Sequence, residues 1–104
     1  VQAHSDSREQ FNLAFRTGSL RLIENAARAL PVVSLDDALR ILVAMAEKRD
    51  ERYLRAAARW TERSIAECHL DLAGVQRAVT LLAELPEQVS AADVLRRELG
   101  LRRL

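Results

Sequence analysis

Helix-start and helix-stop residues recur so often along this chain that little room is left for anything but short helices. Ser7, Ser19, Ser34, Asp50, Asp71 and Ser90 each stand before a stretch of helical period, where a side-chain oxygen can accept from orphan N–H groups. Ser7-Arg8-Glu9-Gln10 has the form of a capping box. Ser34-Leu35-Asp36-Asp37 and Ser90-Ala91-Ala92-Asp93 are acidic versions, whose carboxylates also suit the positive end of a helix. Val33, Leu70 and Val89 occupy the hydrophobic-staple position ahead of a cap. Gly18, Pro31, Pro86 and Gly100 supply the stops. The spacing predicts helices over about 7–17, 19–30, 34–48, 50–68, 71–85 and 90–99. No run reads as a strand.

Joints of one to four residues make successive helices antiparallel neighbours. The fold class is therefore all-α: about six short antiparallel helices, in a compact bundle or a short right-handed array of helical hairpins. A length of 104 residues, 49% of them apolar, suits one domain over 1–104, with 1–6 flexible and 101–104 a basic C-terminal tail. Val1 in place of an initiator Met reads as either a trimmed chain or an excised domain. The longest purely apolar run, Ile41 to Ala46, is far too short to span a bilayer.

Placing side chains at 100° steps shows how each helix is used. Leu35, Ala38, Leu39, Ile41, Leu42, Val43, Met45 and Ala46 cover roughly 200° of the third helix, and Leu72, Val75, Ala78, Val79, Leu81, Leu82, Ala83 and Leu85 do the same on the fifth. Stripes that wide need cover from two sides, which puts these two helices at the centre. The fourth helix has a narrower stripe of Tyr53, Leu54, Ala57, Trp60, Thr61, Ile65 and Cys68. The first offers only Phe11, Ala14 and Phe15 and reads as a lid.

One internal echo stands out. Leu30-Pro31-Val32-Val33-Ser34 and the Asp37 and Leu39-Arg40 that follow return as Leu85-Pro86, Val89-Ser90, Asp93 and Leu95-Arg96. Repeated helix punctuation and a stacked helical pair both account for it. In general character such stacking is similar to HEAT-like and tetratricopeptide-like arrays. The tetratricopeptide signature of Trp, Leu-Gly and Tyr is absent, so no binding residues carry over. The Ala-, Leu- and Arg-rich make-up is also similar to small all-helical proteins of GC-rich bacteria, a resemblance that implies no activity.

The inventory for chemistry is short. His4, Cys68 and His69 are the only His and Cys residues, and Cys68 falls on an apolar stripe while His69 ends its helix, so no metal site is expected. A single cysteine makes no internal disulfide, which points to the cytoplasm. Asp36 and Asp37 diverge by about 100° on their helix and read as an ion-pair partner of Arg40 and a cap rather than as an acid–base pair. No Gly-x-Ser-x-Gly and no phosphate loop occur. Neither catalytic residues nor a cofactor are expected.

Charge gives the one constellation with shape. The basic residues are 15 Arg and one Lys, spread along the chain as GC-rich coding would spread them, and the net charge is +1. Arg52, Arg55, Arg59 and Arg63 nevertheless fall within roughly 80° on the fourth helix, opposite its apolar stripe. Arg96, Arg97, Arg102 and Arg103 follow near the C-terminus, whereas residues 64–95 set Glu67, Asp71, Glu84, Glu87 and Asp93 against Arg77 alone. The bland reading of the ridge is a solvated face balanced by Glu51, Glu62 and Glu67. Its functional reading is a non-catalytic protein–protein interaction or adaptor module, with Arg52, Arg55, Arg59, Arg63, Arg96 and Arg97 facing an acidic partner or a second copy. The alternative is a nucleic-acid-associated regulator using the same ridge, and a third is an enzyme subunit completed by another chain. No membrane partner is expected.

Overall fold

The computed structural model describes residues 3–102, with side chains from Asp6 onward. Six helices form among them and no strand: α1 (Ala3–Thr17), α2 (Leu20–Arg28), α3 (Leu35–Glu47), α4 (Tyr53–Cys68), α5 (Leu72–Glu84) and α6 (Ala91–Leu99). None is long and apolar enough to cross a membrane. The largest departure from the expected boundaries is at α1, which starts at Ala3. Ser7 therefore lies inside the helix and not at its cap, and Asp6 instead supplies first-turn negative charge. The flexible end expected over 1–6 and the basic tail over 101–104 fall partly on residues 1, 2, 103 and 104, which lie outside the described residues, as do Arg103 and the side chain of His4.

Local chemistry sets most boundaries. Ser19 caps α2 by accepting from the Leu22 N–H at 3.3 Å, and Asp71 caps α5 by accepting from the Gly74 N–H at 2.8 Å. Ser90 stands at the start of α6 but makes no side-chain cap bond. Asp50 lies three residues ahead of α4 and accepts from the Arg52 N–H at 2.8 Å. Gly18 and Gly100 take left-handed φ of 72° and 67° as helix stops. Two further stops carry no glycine. Arg49 (φ 52°) closes α3, with the Asp50 N–H donating back to the Met45 carbonyl at 2.9 Å, and His69 (φ 53°) closes α4.

Those two left-handed positions give a direct stability prediction. Arg49→Gly and His69→Gly are each expected to stabilise by about 0.5–1 kcal/mol, because a side chain with a Cβ is strained there. Thermal unfolding followed by circular dichroism should show a rise of about 2–8 °C for each, and an unchanged or lower midpoint would contradict the strain argument. Arg49 also faces Glu87 at 3.6 Å, but both side chains are open to solvent and the pair contributes little.

The chain divides into two compact units, Val1–Ser34 and Leu35–Leu104. In the first, α1 packs against α2; Phe11 and Phe15 meet edge to face at 5.0 Å, and the Arg8 guanidinium lies 5.6 Å over the Phe11 ring. In the second, α3 packs against α4 and α6, and α5 also packs against α4 and α6, so the four helices close into a ring. Leu39, Leu42, Trp60, Leu81, Leu82, Leu85 and Leu95 are buried there. The two helices expected at the centre thus sit on the ring like the others, each with two principal neighbours.

Two polar ties cross the ring. The Trp60 indole donates to the Leu35 carbonyl at 2.9 Å and joins α4 to α3. The Tyr53 hydroxyl donates to the Leu82 carbonyl at 2.6 Å and joins α4 to α5. The second tie answers a defect in the sequence. Leu82 C=O would take its helical bond from residue 86, and Pro86 has no N–H to give.

Candidate interaction surfaces

The arginine ridge of α4 is half neutralised from within. Arg52 forks onto Asp50, with Nε to Oδ1 at 3.0 Å and Nη2 to Oδ2 at 2.9 Å. These bonds, with the Arg52 backbone N–H, hold the Asp50 carboxyl at about 2, below the usual carboxylate range. Arg63 pairs with Glu67 one turn on, Nε to Oε2 at 2.5 Å. Arg55 and Arg59 are exposed and make no ion pair among the described residues. The acidic stretch is compensated in part: Glu67 takes Arg63, Glu87 faces Arg49, Asp93 faces Arg96 and Asp71 caps α5, while Glu84 makes no ion pair among the described residues.

Of the two α6 arginines, Arg97 is exposed and Arg96 is turned inward. The Arg96 side chain is only 12% exposed, with Nε 2.5 Å from Asp36 Oδ1 and Nη1 3.0 Å from Asp93 Oδ1. Asp36, expected to pair with Arg40 along its own helix, pairs instead with this residue of α6. The physical reason is burial. The first turn of α3 packs at the α3–α6 contact, leaving Asp36 2% exposed and beyond the reach of a solvent-side partner. Its second oxygen, Oδ2, is buried without a hydrogen bond. The positive end of α3 and the Arg96 cation are what hold this carboxylate in the interior.

An uncharged face lies elsewhere, between α4 and α5. An open groove of about 330 Å³ runs there, lined by Tyr53, Leu54, Ala57, Ala58, Thr61, Val79, Leu82 and Ala83. Leu54 is 78% exposed and Val79 50%; Ile65 and Leu72 continue the apolar surface, Leu72 at 73%. All four belong to the apolar stripes that the sequence expects packing to cover. A ring gives each helix two neighbours, which on α5 cover less of the circumference than its roughly 200° of apolar stripe and leave Leu72 and Val79 outside. Leu54 and Ile65 form the outer edge of the narrower α4 stripe. The readable signal was the continuation of that stripe into neutral Gln76 and Thr80, with no charge to mark a solvated edge.

A second, smaller hollow of about 220 Å³ lies between α3 and α4, with Ala38, Ile41, Leu42, Ala56 and Trp60 on its walls and Arg59 and Arg63 at its rim. The side chains considered for chemistry are apart from it. Cys68 is half-buried, and burial followed by the charge of Glu67 pushes its thiol pKa up, away from the reactive thiolate. His69 is exposed on the left-handed turn. Among the described residues no three His, Cys, Asp or Glu side chains gather as a metal-binding group. No family model, curated protein or solved structure matches the chain.

Proposed function

We propose that this protein is a non-catalytic helical interaction module whose working surface is the α4–α5 face. The observation that carries the reading is the groove itself: apolar residues half to three-quarters exposed, with no charge along its walls. Depletion of charge at the centre of a patch, more than hydrophobicity alone, is what distinguishes interface cores from ordinary surface. Compensation of Arg52 and Arg63 within the chain moves the binding role from the ridge to this face, leaving Arg55 at its edge. The same compensation weighs against the nucleic-acid alternative, since two free guanidinium groups on α4 give a salt dependence with a slope of only about −2. The proposal places the module in the cytoplasm, where its one cysteine stays a thiol.

Site-specific photo-crosslinking in the producing cells tests the surface. A photoreactive residue at Leu54 or Val79 is expected to give discrete protein adducts, whether to another copy or to a different protein. The same residue at Arg97 is expected to give none. Absence of adducts from both groove positions defeats the reading.

A further inference from the structure

We infer that the occupant of the α4–α5 face is the same face of a second copy, the two packed antiparallel with α4 against α4. This deepens the interaction-surface reading above and rests on it. Ala58 is exposed at the groove wall, and its small side chain allows close helix approach. Beside it on α4 are Arg55 and Glu62, both exposed and neither ion-paired among the described residues. They are seven residues apart on one helix, about 10 Å in rise, too far to pair with each other. Their midpoint falls between Ala58 and Arg59. A two-fold axis at that point brings Arg55 of each copy level with Glu62 of the other, so two unmatched charges become two matched pairs around a neutral centre. The same register drops Leu54 of one copy between Thr61 and Ile65 of the other, knob into hole.

The size of the face limits the strength to that of a small interface. Helices of 16 and 13 residues are about 24 and 20 Å long, so α4 and α5 side by side offer a patch of roughly 20 by 20 Å. That is at or below the low end of specific interfaces, and the expected dimer is in the micromolar range.

Sedimentation equilibrium of the purified chain across about 1–200 µM reads this directly. The expected result is a monomer–dimer equilibrium that L54E/V79E abolishes with helicity unchanged, since both positions are exposed in the monomer. R55E alone and E62R alone are each expected to weaken association by about tenfold or more, and mixing the two variants to restore it, because only the mixed pair matches both charges. A monomer throughout the range overturns the second-copy inference, as does a dimer indifferent to L54E/V79E or a mixture no tighter than its parts. A monomer whose Leu54 position still crosslinks to a different protein in cells defeats the second copy and leaves the interaction surface standing.

Discussion

Arg96→Met is expected to lower stability by about 3–5 kcal/mol, the cost of leaving a buried carboxylate without its cation. Asp36 is almost wholly enclosed, one of its oxygens already lacks a partner, and Arg96 is the group that bonds the other. A domain of this size has only about 5–15 kcal/mol to lose, so the variant should unfold at a much lower urea concentration. Arg96→Lys separates charge from geometry: the ammonium supplies the charge but not the Nε donor, and an intermediate midpoint is expected. D36L/R96M completes the cycle. Removing both charges together is expected to recover most of the loss, since well-packed apolar pairs replace buried ion pairs at little or no cost. If Arg96→Met alone unfolds at the wild-type urea midpoint, the guanidinium is not what keeps Asp36 inside.

Tyr53→Phe is the second large effect, expected at about 1–3 kcal/mol from one oxygen atom. The penalty is larger than for an ordinary tyrosine because the phenol answers a carbonyl that Pro86 cannot satisfy from within α5. In the Phe variant Leu82 C=O is buried with no donor. The companion change Pro86→Ala returns an N–H to the right place in the helix, and Y53F/P86A is expected to be less destabilised than Y53F. The same phenol governs behaviour in alkali. Burial raises its pKa from 10.0 to about 12, so the folded state holds the proton more tightly than the unfolded chain. Stability from this group is complete below pH 10 and is lost as pH rises from about 10 to about 12. Spectrophotometric titration of the single tyrosine should show its ionisation displaced to that window, whereas an ordinary midpoint near 10 would contradict burial of the phenol.

The sequence made the helices legible and the outer faces much less so. Ser19, Asp71, Gly18, Gly100, Pro31 and Pro86 announce boundaries through local chemistry, and local chemistry is readable along a chain. Arg49 and His69 close α3 and α4 in a left-handed conformation their residue types do not advertise, so the expected ends at 48 and 68 rest on the Asp50 and Asp71 caps that follow and not on a stop residue. Asp36 looked like a partner for Arg40 because helical spacing speaks for pairs four apart and is silent on residues sixty apart. Leu54 and Val79 looked like core for a related reason. Periodicity says that a stripe is apolar, but the number of neighbouring helices decides how much of it is covered, and that number belongs to the ring.

The ring also has an uneven circumference. Three of its contacts, α3–α4, α4–α5 and α5–α6, join helices consecutive in the chain and form at small loop-closure cost; the fourth, α3–α6, joins its two ends. That last contact is a seam, and the Asp36–Arg96 bond lies across it. A slow, partial opening of this unit should therefore run like a bracelet at its clasp, with the hairpins intact and the buried carboxylate meeting water first.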